Sequence, residues 1–282
     1  MKTVLDCLES GSRYLQERGV SDARRNMQLL VAKELGCSRL DLYLEFDRPL
    51  EEAELEPLRA ALKRRGAGEP LQHLLGTVEF HGREYRCDRR ALIPRPETEE
   101  LVEAILKLDL PTPARILDLG TGSGVLGIAV ALDLAGCCGA LTLADRSPEA
   151  LELARENATL QDCGAETIET DLFERIEGTF ELITANLPYV PEGASDELAP
   201  ELRHDPPAAL FSGPDGLDLI RRIIPAALAH LAPGGWLAME IGHQQGDTVI
   251  ALLEKAGYAG SRCARDLSGH PRHVFAQAPP AS

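Results

Sequence analysis

The chain has no excess of positive charge: 29 Lys and Arg stand against 45 Asp and Glu, for a formal net charge of −16. Such a field repels a phosphate backbone, so nucleic acid is not expected as a general partner unless a local basic patch overrides it. No run approaches the roughly 18 apolar residues of a membrane-spanning helix; the richest stretch, 124–144, is interrupted by Asp133. The first twenty residues carry charges throughout and hold no continuous apolar core, so no secretory leader is expected. The seven cysteines are odd in number, scattered and free of any Cys-x-x-Cys, which argues against a disulfide framework and a zinc site and for a reduced, cytoplasmic protein. His270 and His273 come nearest to metal spacing, but Pro271 lies between them and no other His or Cys is close in sequence. We read them as a surface pair and expect no metal. What remains, 44% apolar and 26% charged over 282 residues, lies outside the disordered range and suffices for two cores.

Residues 1–73 read as short helices. Ser21 can cap a helix ending at Gly36, Ser38 can cap the next, and Leu55, Leu58 and Leu62 keep helical spacing up to Gly66. In 74–93, TVEF and REYRC flank His81-Gly82, a β-hairpin linker in which Gly82 supplies a positive φ. From 94 to 282 strand and helix patterns alternate, which predicts an α/β domain with a mostly parallel sheet covered on both faces. Ser147-Pro148 is a strong helix start, and SRCARDLS and RHVFAQA read as two final strands joined at Gly269.

The strand Ile116–Leu119 runs into Gly120-Thr121-Gly122-Ser123-Gly124 and then a helix, a loop that lets a ligand approach the backbone beside unpaired amides. Gly122, Gly124 and Gly127 also satisfy Gly-x-Gly-x-x-Gly with Asp145 ending the next strand, so a nicotinamide dinucleotide is a candidate. Asp118 turns the choice. A carboxylate at the loop's mouth repels a pyrophosphate but suits the ammonium and sulfonium of S-adenosyl-L-methionine. Asp145 is then placed for the ribose hydroxyls, and Asp171 either meets the adenine edge or caps the turn that follows it.

Asn186-Leu187-Pro188-Tyr189 ends an apolar strand, where open parallel sheets place their ligands. A planar amide or aromatic amine is a poor nucleophile because its lone pair is delocalised, so methyl transfer to it needs acceptors that hold the NH₂ hydrogens. Asn186 supplies one carbonyl and the backbone of Leu187, extended ahead of Pro188, a second. The Tyr189 ring packs on the flat substrate, and catalysis is mainly positioning.

At these residues the chain resembles the class I S-adenosylmethionine-dependent methyltransferases, and among them the HemK-type protein-(glutamine-N5) methyltransferases. The resemblance runs nearly end to end: GEPLQHLLGTVEFHG (Gly68 to Gly82), LIPRPETEELV (Leu92 to Val102), DLGTGSG, Asn-x-Pro-Tyr, DPPAALFSGPDGL (Asp205 to Leu217) and MEIGHQQ (Met239 to Gln245). It implies a Rossmann-like, seven-stranded sheet whose last strand runs antiparallel, preceded by a helical domain that docks the substrate. It also implies methyl transfer from S-adenosyl-L-methionine to the glutamine of the Gly-Gly-Gln loop of class-1 peptide chain release factors. On this resemblance Asp118, Gly120, Thr121, Gly122, Ser123, Gly124, Asp145, Asp171, Leu172 and Asn186 face the cofactor, and Asn186, Leu187, Pro188 and Tyr189 cradle the glutamine. Arg95, Glu97 and Thr98 stand either at the substrate or as caps and docking residues. Leu187 replaces the usual proline, Leu172 the usual aromatic residue, and His204-Asp205-Pro206 the usual Glu-Pro. Two alternatives stay open. Asn-Leu-Pro-Tyr also resembles the motif of adenine-N6 methyltransferases acting on ribosomal RNA or DNA, for which Lys63, Arg64, Arg65, Arg83, Arg86, Arg89 and Arg90 offer a basic patch. The other is an inert cofactor-binding scaffold.

Overall fold

Thr3 opens the first helix, α1 (Val4–Gln16): its hydroxyl accepts the Asp6 N–H at 3.2 Å while the Asp6 carboxylate accepts the Thr3 N–H at 2.9 Å. The computed structural model describes residues 2–134, 136–197, 202 and 204–280. Helix α2 (Ala23–Leu35) ends at Gly36 in the left-handed conformation, as expected. Its start differs from the expectation. Asp22 precedes it at φ 49° with no side-chain cap, and Ser21 contributes only its carbonyl, to Asn26 Nδ2 at 3.3 Å. Ser38 does cap, but over a 3₁₀ turn, Asp41–Leu44, with reciprocal bonds of 3.2 and 2.9 Å to Asp41. Helices α3 (Glu52–Gly66) and α4 (Leu71–Leu75) complete a separate core around Leu8, Met27, Leu30, Val31, Leu42 and Leu58. These residues up to Thr77, with a short piece ending at His204, make one unit; the remainder from Val78 makes the other.

In the larger unit β1 (Thr77–Phe80) and β2 (Arg83–Arg86) form a hairpin whose two turn residues, His81 and Gly82, both have positive φ, 47° and 73°. Only a turn of this kind follows the twist of the strands. His81 is held there by Glu99, which accepts its N–H at 3.1 Å, and by Asp133 against its ring at 2.7 Å. Phe80 and Tyr85 sink into the unit's core beside Leu101, Val102 and Ile105, so from Val78 on the hairpin packs as part of this unit, while 74–77 belong to the helical one.

The remaining elements alternate as the sequence implies: α5 (Pro96–Ile105), β3 (Ala114–Leu119), α6 (Val125–Asp133), β4 (Cys138–Asp145), α7 (Pro148–Leu160), β5 (Glu166–Glu169), β6 (Phe180–Ala185), α8 (Asp218–His230), β7 (Leu231–Glu240), α9 (Gly246–Ala256), β8 (Ala259–Arg265) and β9 (Pro271–Gln277). They build a seven-stranded sheet in the order β5-β4-β3-β6-β7-β9-β8, parallel except for β9. Its central strand β6 is buried along its whole length, as in a sheet covered on both faces. One face is packed by Ile220, Ile223 and Ile224 of α8 with Val249 and Leu253 of α9, the other by Leu101, Ile105, Ile128 and Ala154 of α5, α6 and α7. Chain order runs outward from β3 to β5 on one side and from β6 to β7 on the other. The switch between β3 and β6 is where such sheets open a crevice.

Candidate active site

The crevice lies outside the carboxyl ends of β3, β4 and β6 and spans about 880 Å³, open solvent at its mouth included. Gly120, Gly122, Asp145, Asp171, Leu172, Asn186, Leu187 and Pro188 line it. Leaving β3, Gly120, Gly122 and Gly124 take φ of 67°, 54° and 83°, a path that side chains rarely allow. At Gly120 closeness matters as well: a Cβ there would stand 2.5 Å from Leu187 Cδ2. Leu187, in place of the usual proline, therefore packs directly on the glycine loop and is 7% exposed. The loop is tied from four sides. Asp145 Oδ2 accepts the Gly122 N–H at 2.9 Å, Ala144 O accepts the Thr121 N–H at 3.0 Å, and Asn157 Nδ2 donates to Ser123 O at 2.9 Å. The fourth tie is Asp118.

Asp118 is fully buried, and its carboxylate accepts from the Thr121 hydroxyl (2.5 Å), the Gly127 N–H (3.1 Å) and the Thr184 hydroxyl (2.8 Å). Its hydrogen bonds join the loop at Thr121 to α6 at Gly127 and to β6 at Thr184, so it braces the loop against both elements. Burial pushes its carboxyl up to about 6, against the three donors that favour the anion. Asp145 stands in the crevice itself; Oδ1 accepts the Ser147 N–H at 2.9 Å, and both oxygens keep a lone pair for further donors. Ser147 in turn caps α7 through the Ala150 N–H at 3.1 Å, as its sequence predicts. Asp171 lines the crevice but is paired with Arg222 at 2.8 Å, and the turn after it forms no helix for it to cap. Leu172 occupies the left-handed region at φ 52°, an uncommon conformation for a branched aliphatic residue, with its side chain on the crevice wall.

At the other wall, Asn186 Nδ2 donates to Thr98 Oγ1 at 3.1 Å, Thr98 Oγ1 to Glu240 Oε2 at 2.7 Å, and the Tyr189 hydroxyl to Glu240 Oε1 at 3.1 Å. Glu240, at the end of β7, is 3% exposed; burial raises its carboxyl above the usual range, and that burial with the neighbouring Glu240 charge raises the Tyr189 phenol too. Gln245 locks the turn beneath: its Nε2 donates to Tyr189 O at 3.0 Å while its Oε1 accepts the Gly242 N–H at 2.8 Å. Gly216 faces the same carbonyl so closely that a Cβ would lie 2.1 Å from it. Of the expected site residues, Gly120, Gly122, Asp145, Asp171, Leu172, Asn186, Leu187 and Pro188 line this crevice, Asp118, Thr121, Ser123, Arg95 and Thr98 line a smaller cavity that shares Gly120, Gly122 and Asn186 with it, and the Tyr189 hydroxyl is engaged by Glu240. Glu240, Gln245, Gly216 and Asn157, which spacing did not reveal, brace these turns.

The segment from Leu92 to Val102 acts as a frame. Arg95 pairs with Asp205 at 2.7 Å, and Asp205, fully buried in its side chain, also accepts the Ile93 N–H at 3.4 Å. The replaced segment at 204–206 therefore anchors this loop. Glu97 lends its carbonyl to His273 Nε2 at 2.8 Å. His273 is buried and only His270 is exposed, so they are no surface pair, and the described residues contain no cluster of metal ligands. Four arginines of the basic patch are engaged by acids, Arg64 by Glu69, Arg83 by Asp133, and Arg86 and Arg90 by Glu156, while Arg65 donates to Asn26 Oδ1 and the Glu69 carbonyl.

Models of two families match the chain, the PrmC N-terminal domain over residues 6–76 and the methyltransferase small domain over residues 98–215. A release factor glutamine methyltransferase of Geobacter sulfurreducens is 39% identical over 274 residues, 96% of this chain and 95% of its own length. One of Deinococcus radiodurans is 38% identical over 273 residues, 96% and 97% of the two chains. Among solved structures, a Pyrococcus furiosus methyltransferase aligns with a TM-score of 0.52 at 19% identity, over 69% of this chain and 88% of its own. A Thermus thermophilus 16S rRNA N2 G1207 methyltransferase, solved with AdoMet and guanosine, aligns with the same TM-score of 0.52 at 18% identity, over 72% and 49%. At such identities the two structures speak for the fold alone.

Proposed function

The chain belongs to the release factor glutamine methyltransferases, and from that premise we propose that it methylates the side-chain amide nitrogen of the Gly-Gly-Gln glutamine in class-1 peptide chain release factors. The observation that carries this reading is likeness over nearly the full length, helical unit included, at 39% identity. The crevice supports it. Its glycine path admits a ligand to the backbone, Asp145 offers lone pairs suited to ribose hydroxyls, and Ala91, Ala150, Leu172 and Leu187 provide apolar walls for an adenine ring. These residues fit S-adenosyl-L-methionine, which supplies an electrophilic methyl group on a sulfonium when bound.

The chain's own part is to hold the nucleophile. Asn186 Oδ1 and the Leu187 carbonyl accept the two amide hydrogens and so hold the nitrogen and aim it at the methyl group, while Tyr189 packs on the amide plane. No side chain is asked to abstract a proton before transfer; the nitrogen, cationic once it carries the methyl group, releases one of its two hydrogens as a proton to water, and orientation supplies the rate. The helical unit, 1–73, serves as the docking surface for the release factor, in the cytoplasm where translation ends. Peptide mapping of a release factor incubated with this chain and S-adenosyl-L-methionine should find the methyl on that glutamine. A methyl on any other residue overturns the assignment.

A further inference from the structure

An ionised carboxylate accepts hydrogen bonds and donates none, a rule that fixes the direction of every bond along the chain Glu240, Thr98, Asn186. Thr98 is 4% exposed and Glu240 3%, so water does not compete. With its hydrogen committed to Glu240 Oε2 at 2.7 Å, the Thr98 hydroxyl has only lone pairs left for Asn186 at 3.1 Å. Only the NH₂ side of the Asn186 amide meets a lone pair. Its carbonyl is thereby turned to the open side of the residue, which lines the crevice.

We propose that Glu240 and Thr98 are positioning residues that set the polarity of Asn186, presenting its carbonyl rather than its NH₂ to the substrate nitrogen. The inference rests on the function proposed above and assigns the part of the LIPRPETE and MEIG segments in it. Reversal of the amide would set the Asn186 NH₂ against the one glutamine hydrogen that its carbonyl accepts, donor against donor, so polarity matters here more than distance. The same carboxylate takes the Tyr189 hydroxyl on its other oxygen, at 3.1 Å, and so fixes both ends of the Asn-Leu-Pro-Tyr turn.

Protonation undoes the rule, because a neutral Glu240 donates to Thr98 and frees the hydroxyl hydrogen to turn toward Asn186. The groups that face Glu240 are Thr98 and Glu97 on α5, Tyr189 after β6, and Arg272 and His273 on β9. Burial raises the carboxyl and Glu97 adds to this; the two hydroxyls and Arg272 oppose it. The sign follows: transfer is fast with the anion and is lost as pH falls through a value above the ordinary glutamate range.

The test compares the native chain with Thr98→Val, Thr98→Ser and Glu240→Gln, measuring methyl transfer to a release factor, calorimetric binding of S-adenosyl-L-methionine, and thermal melting. Thr98→Val keeps the volume and removes the hydroxyl; Thr98→Ala is the second route should valine not be tolerated. Glu240→Gln places a donor against either Thr98 or Tyr189. Both changes should lower kcat about 10- to 100-fold, the worth of one or two such bonds, with cofactor affinity and KM for the release factor within about 3-fold. Thr98→Ser should recover most of the lost rate, and the acid limb of the native kcat profile should vanish in Thr98→Val. Native kcat in Thr98→Val, or equal impairment in Thr98→Ser, overturns the proposal. A native chain that binds the cofactor yet leaves the release factor unmethylated overturns the underlying function instead.

Discussion

Asp145 and Asp118 show how two carboxylates a short way apart in one sheet divide their work. Asp145 stands in the crevice and holds Gly122 and Ser147 at 2.9 Å each, so its removal loosens the loop and deletes the proposed ribose acceptor together. We expect Asp145→Ala to weaken S-adenosyl-L-methionine binding by about 100-fold or more, about 3 kcal/mol, as measured by calorimetry; unchanged affinity would remove Asp145 from the site. Asp118 is enclosed, and its carboxyl is pushed up to about 6 by burial. The folded state therefore holds a proton that the unfolded chain has released between about pH 4 and pH 6, and stability from this group is present below that window and lost as pH rises through it. Asp118→Asn carries no such charge. Melting curves across the window should show the stability of the native chain falling relative to Asp118→Asn with rising pH, and a constant difference would contradict the assignment. The glycine loop, Asp145 and Asn186 were legible because each lies beside a strand end whose apolar run marks it. Glu240 was not, since it meets Thr98 across 142 residues and no spacing rule spans that gap. Asp118 was legible as part of the loop, but which way its carboxylate turns is decided by Thr184 on the neighbouring strand.

Among the elements, α7 links the hairpin to the crevice. Its Asn157, with no exposed surface, accepts the Arg86 N–H at 2.7 Å and donates to Arg86 O at 3.1 Å and Ser123 O at 2.9 Å. Asn157→Ala leaves the buried Ser123 carbonyl and the two part-buried backbone groups of Arg86 without this partner, a cost of about 1 to 3 kcal/mol. Chemical denaturation should show that loss, with weakened cofactor binding because Ser123 belongs to the glycine loop. A variant as stable as the native chain would show that water or a shifted backbone replaces Asn157. The alternation of strands and helices, the Ser147-Pro148 start and the Gly269 turn were readable from local pattern, since propensity and packing agree there. The misplacement of the α2 cap, from Ser21 to Asp22, has a physical reason. Neither side chain caps the helix; instead Asn26 Nδ2 donates to the Ser21 and Asp22 carbonyls, which ties the first turn at the later start.

At the scale of the whole molecule, the chain forms two units with separate cores and carries a net charge of −16, a field that disfavours a phosphate backbone as a general partner. The basic patch that suggested nucleic acid divides between the units, and Arg64, Arg83, Arg86 and Arg90 are paired with acids. Because the larger unit owns its crevice, a chain lacking residues 1–70 should still bind S-adenosyl-L-methionine while losing methylation of the release factor. Retained methylation would show that the helical unit is no docking surface. The partner was legible in the sequence only through resemblance, since composition alone excludes a class of partners and names none. The most direct measurement is transfer of labelled methyl from S-adenosyl-L-methionine to a purified release factor, to the same factor with its Gly-Gly-Gln glutamine replaced, and to total RNA and DNA. Label on the native factor alone is the predicted result; label on nucleic acid, or on the factor without its glutamine, contradicts it.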